Sequence, residues 1–305
     1  MRSKSPIACA IASTLLTGAA PPQPVHLQPT TPWVLDYAEN SCQLKRVFGE
    51  GSQKTVLQFE SDAPDQMDLL VIGRSLNNDL EEVPLEFLPS GGKPLTGRTA
   101  KASDGEPAIL WSSVRLLPAP MIVRLDYEAY QRRWKTLERP VVDLAERNAE
   151  TAARDAFATE TTGLEIDARH GKPVILETGS LGEAVRMFDK CSRDSLRDWG
   201  VDPALEEKIV KPVWAQNPAR WFSVSDYPTN MVRKGEQSEV KVRLLVDATG
   251  KVTKCTSLTH FKELSFNQVV CDKFMQRAHF EPAELADGTK VPSYYTNRVE
   301  FRLPY

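Results

Sequence analysis

The sequence predicts an α+β protein: a β-rich N-terminal domain with helices, followed by a small αββαβ C-terminal module. Three observations predict it. Short apolar runs separated by turn residues fill the first half of the chain. Apolar residues at helical spacing are confined to a few stretches. A strand–turn–strand–helix–strand pattern closes the chain.

The chain has 305 residues, 41% of them hydrophobic. That is enough apolar material for a sizeable core, and the length suggests two domains. Formal net charge is -3, with the signs well mixed along the chain. A balanced surface offers no electrostatic footprint for nucleic acid.

The first twenty residues have the form of a cleavable signal peptide. Arg2 and Lys4 precede an apolar stretch over 7–16, and Thr17, Gly18, Ala19 and Ala20 supply small residues for cleavage. That stretch is far shorter than the ~20 residues of a membrane span. Cys9 lies inside it and not after it, which argues against a lipid-bearing cysteine. The expected location of the processed chain is the periplasm, with membrane anchorage only if the signal stays uncleaved.

Residues 21–32, rich in Pro, Thr and Gln, read as a disordered leader. Residues 33–200 read as the β-rich domain. Strands are expected at 55–59, 67–72, 83–88, 109–117 and 121–127, and a helix at 141–157. A hairpin follows around Arg169, His170, Gly171 and Lys172. The next helix, 181–199, shows Leu181, Ala184, Val185, Phe188, Cys191 and Leu196 on one face. Ser180 and Glu183 are spaced for a capping box, and Gly200 provides the stop. Residues 201–225 read as a linker whose Trp214, Trp221 and Phe222 pack on a neighbouring domain.

From 226 the pattern sharpens. Tyr227 and Pro228 open a short helix that Gly235 ends. Val240, Val242, Leu244 and Val246 alternate with Lys241, Arg243 and Leu245, as in a strand with one buried face. A turn through Gly250 leads to a second strand. Phe266, Val269, Val270 and Phe274 mark a helix. Phe280, Pro282 and Ala283 break it, a turn at Gly288 follows, and a last strand runs over 294–303.

The combination of Tyr227, Pro228, Gly235, Gly250, Pro282 and Gly288 with the terminal Val299-Glu300-Phe301-Arg302-Leu303 resembles the TonB C-terminal domain family. The resemblance covers about the last quarter of the chain. It implies a binding module whose last strand, Tyr294, Tyr295, Thr296, Asn297, Arg298, Val299, Glu300, Phe301, Arg302 and Leu303, pairs with an extended segment of an outer-membrane receptor or another envelope protein. Occupation of that edge by the first domain, or by a second copy in a homodimer, is the competing expectation. So is a scaffold role without energy transduction. Energy-transducing members keep a membrane anchor and a long Pro-rich spacer, and this sequence shows neither.

Without Cys9, four cysteines remain and allow three pairings. Keeping each bridge within one domain selects Cys42–Cys191 and Cys255–Cys271. Nothing in the sequence points to a catalytic residue, a cofactor, a metal or a small-molecule substrate. Cys255, His260, Cys271 and His279 match no common zinc spacing. His26 falls in the leader. Glu165 and Asp167 read as the solvent face of a strand. The expectation is therefore a non-enzymatic module.

Overall fold

Burial of the alternate apolar residues of the first half builds one large sheet. The computed structural model describes residues 23–303 apart from 39, 65, 77–81, 90–91, 103–104, 136–138, 168–171 and 259–263. The signal segment, His170 and His260 lie outside the described residues. The first body comprises β1 (Val25–Leu27), β2 (Val34–Tyr37), β3 (Cys42–Phe48), β4 (Thr55–Ser61), β5 (Asp68–Ile72), β6 (Val83–Leu88), β7 (Leu95–Lys101), β8 (Pro107–Trp111), α1 (Ala119–Lys135), α2 (Leu144–Glu160), β9 (Gly163–Ile166), β10 (Val174–Leu176) and α3 (Gly182–Asp198). Ten strands hydrogen-bond in the order β1-β10-β9-β6-β7-β8-β5-β4-β3-β2.

The leader expected to be disordered instead contributes a strand, β1. β1 runs parallel to β10, with Val25 opposite Val174 and Leu27 opposite Leu176. Leu27 is buried, so burial of alternate residues outweighs the Pro-rich composition around them. Beyond β1, Gly49 N donates to Gln28 O at 2.9 Å and Thr30 N to Val47 O at 2.8 Å. The leader thereby links β10 at one end of the strand order to β3 near the other. Leu44, Phe59, Leu69, Leu85, Trp111, Leu164 and Phe188 share the enclosed core.

Three further expectations change. The strand expected at 121–127 is the N-terminal half of α1. Pro120 is tolerated in a first helical turn, and a seven-residue stretch interrupted by Arg124 and Asp126 has no decisive period. The strand expected at 109–117 ends at Trp111, and Ser113 takes φ 57 just beyond it. At α3 the capping box does not form. Leu181 is the N-cap residue in αR conformation, and Ser180 Oγ donates instead to Thr159 O at 2.8 Å. The expected apolar face of α3 does enter the core, with Leu181, Ala184, Val185, Phe188 and Cys191 buried. A disulfide joins Cys191 to Cys42 in β3.

The second body comprises α4 (Pro203–Glu206), β11 (Ile209–Lys211), β12 (Trp214–Ala215), α5 (Thr229–Lys234), β13 (Ser238–Val246), β14 (Val252–Ser257), α6 (Leu264–Arg277), β15 (Phe280–Glu281), β16 (Ala283–Leu285), β17 (Lys290–Val291) and β18 (Ser293–Phe301). The stretch read as a linker belongs to this body. β11 pairs with β16, β12 pairs with β15, and Trp221 is buried against Phe274 and Phe280. Its strands are too short to show a period, and they find partners some seventy residues later, Trp214 standing opposite Glu281.

The central sheet has the order β14-β13-β18. Val240, Val242, Leu244 and Val246 meet Phe266, Val270 and Phe274 of α6 in the core, and a disulfide joins Cys255 in β14 to Cys271 in α6. Gly235 caps α5 with φ 70 and Gly288 turns the chain with φ 85. Tyr227 lays its ring edge-on to Phe266 and Phe301 and donates its hydroxyl to Glu236 O at 2.5 Å.

Gly250 is required twice over. Its φ is 87, and a Cβ there would lie 2.0 Å from Phe280 O. Its own carbonyl accepts the Phe280 N–H at 3.2 Å. Gly250→Ala is expected to lower stability by at least ~1–2 kcal/mol from the backbone alone. The check is the urea midpoint, and an unchanged midpoint would show that the turn relaxes freely.

Candidate functional site

β18 is the longest strand at a sheet edge in the second body, and it is paired along its whole length. Ser293 lies opposite Val246 and Phe301 opposite Ser238. It runs over 293–301, so the expected strand is shortened: Arg302 and Leu303 lie beyond it. There Leu303 N donates to Gln237 Oε1 at 3.1 Å, a side-chain contact that replaces further ladder pairing. Among the described residues, no strand pairs with the outer side of β18.

Alternate residues of β18 face two different environments. Tyr295, Val299 and Phe301 pack toward α6 and the second core, with Tyr295 4.9 Å from Phe280 between ring centroids. Tyr294, Thr296, Arg298 and Glu300 face the other way. The Tyr294 hydroxyl donates to Pro64 O at 3.3 Å, and its ring stands edge-on to Trp199 at 5.9 Å. Gln66 Nε2 donates to Thr296 Oγ1 at 2.7 Å. Arg298 pairs with Glu239 at 3.1 Å, and Asn297 Oδ1 accepts from Arg298 N at 2.6 Å.

The face of β13 that alternation assigns to solvent is covered by the first body. Arg243 is 3% exposed. Its guanidinium lies 3.5 Å over the Trp199 ring and donates to Asn40 O at 3.1 Å and Asp62 O at 2.6 Å. Cation–π contact and two carbonyls replace the lost water, although burial still pushes its pKa down. Lys241 Nζ meets Asp62 Oδ2 at 2.7 Å and Asp68 Oδ2 at 3.5 Å. Burial pulls the Lys241 ammonium down, and the two carboxylates outweigh it, so its pKa lies above the usual lysine value. A second seam lies at Arg139, whose Nε donates to Pro212 O at 2.9 Å and whose Nη2 reaches the carbonyls of Lys211 and Pro282.

The first body therefore covers one face of the β13–β18 pair without adding a strand to it. Between the first body and the β13–β18 pair lies a cleft of about 400 Å³. Gln66, Asp68, Ser113 and Arg115 line one wall, and Lys241, Thr296, Asn297 and Arg298 the other. A larger cleft of about 530 Å³ opens from the same wall, sharing Gln66, Val114 and Arg115, over a floor that includes Met67, Leu116 and Phe188.

Cys255 and Cys271 are bonded to each other, which removes both thiolates from any metal set. His26 Nδ1 lies 2.6 Å from Glu177 Oε1. His279 is exposed. Glu165 stands opposite Glu86 across the sheet.

Asp226 holds the entry to the second body. It meets Arg277 Nη1 at 2.7 Å and Lys273 Nζ at 3.1 Å, and it accepts from Ser223 N at 2.8 Å. Burial acts to raise its pKa, but these donors outweigh it and hold the carboxyl well below the usual range. A depressed folded-state pKa contributes stability that is present above the unfolded value near ~3.9 and is lost as pH falls below it. Asp226→Asn is therefore expected to destabilise the protein at neutral pH and to flatten its acid unfolding profile. An unaltered profile would assign acid sensitivity to other carboxylates.

A three-stranded sheet, a helix bridged to its back and a nine-residue terminal strand at its edge define a small α+β module that ends in an edge strand. Residues 224–303 match the family described as Gram-negative bacterial TonB protein C-terminal, and this part of the chain is a TonB C-terminal domain. A search among curated proteins returns no match to the chain.

Proposed function

We propose that this is a periplasmic envelope protein that recruits an extended segment of an outer-membrane transport receptor, or of another envelope protein, by strand addition along β18. The observation that carries this reading is the β18 edge itself. It is a long strand, paired on one side only among the described residues, and its Thr296, Asn297 and Arg298 line a cleft. Added backbone pairing supplies affinity, and side chains on the strand supply selection. The basic and apolar N-terminal segment supports export, and no helix among the described residues is long and apolar enough to cross a membrane.

A scaffold that self-associates through the same edge is the second reading. The first body's firm hold on the sheet face, through Lys241 and Arg243, favours it, because a fixed two-body unit suits a static role. Photo-crosslinkers at Arg298 and Glu300 in living cells separate the two. Receptor engagement predicts adducts with the N-terminal segment of an outer-membrane receptor. Adducts only with a second copy would establish the scaffold. Adducts only with the chain's own first body would show that the edge is occupied.

A further inference from the structure

We propose that the first body forms the second wall of the strand-docking cleft and selects segments bearing a carboxylate. This rests on strand addition at β18 and adds the chemistry of the partner. A strand laid beside β18 can direct alternate side chains toward the cleft lined by Thr296, Asn297 and Arg298 and by Gln66, Ser113 and Arg115, whose two sides the Gln66–Thr296 hydrogen bond joins at 2.7 Å. It is read by side chains outside the TonB-type module.

The sign of the cleft follows from which of its charges are already committed. Lys241 is held by Asp62 at 2.7 Å and Asp68 at 3.5 Å. Asp68 also accepts from Ser113 N at 2.8 Å. That leaves the guanidiniums of Arg115 and Arg298. Their present partners are Asp126 at 3.2 Å and Glu239 at 3.1 Å, and both pairs are solvent-exposed. Exposed pairs of this kind are weakly held. A carboxylate arriving in the cleft can accept bidentate hydrogen bonds from either arginine, the geometry guanidinium favours. A lysine or arginine in the same place would add a further positive charge beside them and could accept no hydrogen bond from either.

The test uses the processed full chain and fluorescein-labelled peptides of alternating Thr and Val, about eight residues long, within the usual strand range. Three versions carry a central Asp, Asn or Lys. A fourth is the Asp peptide N-methylated at alternate backbone amides. Anisotropy is expected to show the Asp peptide binding about ten-fold more tightly than the Lys peptide, the worth of one charge-assisted contact. Arg115→Glu is expected to reverse that order, and methylation to abolish binding. If methylation abolishes binding but Arg115→Glu leaves the order unchanged, the second wall is refuted and strand addition stands. If the methylated peptide binds as well as its parent, strand addition itself fails. Absence of binding by every peptide overturns both.

Discussion

Replacing Lys241 with methionine is expected to cost roughly 3–5 kcal/mol and to loosen the first body from the sheet of the second. The size follows from what is left behind. Asp62 has a side chain only 6% exposed, and its Oδ2 bonds Lys241. Its Oδ1 has no hydrogen-bond partner among the described residues. Burial already raises the Asp62 pKa, and Lys241 is the leading influence acting against that rise. Without Lys241 the carboxylate is a buried charge facing Glu60 and Asp68. The sign with pH is then fixed. A carboxyl whose folded pKa lies above its unfolded value costs stability as pH rises from about 3.9 through the folded pKa. The deficit of Lys241→Met should therefore shrink in acid, where Asp62 is protonated, and be full at neutral pH. Adding Asp62→Asn should recover much of it, since removing both charges of a buried pair is far cheaper than removing one. Urea unfolding followed by tryptophan fluorescence checks both, because Trp199 lies at this seam. A loss under ~1 kcal/mol would place the pair among ordinary surface salt bridges.

This seam is also the part of the molecule that the sequence concealed. The elements of the second body are legible because their signals are local. Val240 to Val246 alternate, Phe266, Val270 and Phe274 recur at helical spacing, and Gly235, Gly250 and Gly288 stand where the chain turns with positive φ. Both disulfides are legible for a related reason: each closes within one body. Lys241 and Arg243 carry the opposite signal. Polar residues at alternate positions of a strand read as a solvent face, yet Arg243 is among the most buried charged residues described. Its partners, Asn40, Asp62 and Trp199, are separated from it by 44 to 203 residues, and contacts of that kind leave no period in either segment. The same reasoning covers β1, a three-residue strand in a Pro-rich stretch, and β11 and β12, which gain meaning only from β15 and β16. The wall contributed by Gln66 and Arg115 was likewise not legible, because its position depends on how the two bodies dock.

Removing the Cys42–Cys191 bridge should have an effect of similar size that travels further than its own surroundings. The two cysteines are 149 residues apart, and the chain-entropy cost released in the unfolded state is about 5 kcal/mol for so long a loop. In the folded protein the bridge fastens α3 to β3. The C-terminal end of α3 presents Trp199 to Arg243, and Tyr294 of β18 packs on the same ring. Cys42→Ala with Cys191→Ala is therefore expected to lower global stability and to weaken the seam that covers β13. In hydrogen exchange, amides of α3, of β3 and of the loop around Asp62 should lose protection together. Cys255→Ala with Cys271→Ala should instead affect β14 and α6, since that bridge spans only 16 residues and its loop-closure value is about 3 kcal/mol. If the Cys42–Cys191 variant loses protection only in β3 and α3, the two bodies are held by Arg139 and its carbonyls independently of Trp199. If it also exposes the Asp62 loop and the first body's wall of the cleft, the long bridge is what keeps that wall in place. Oxidative closure of the bridge in the envelope would then be a condition for any partner selection made there.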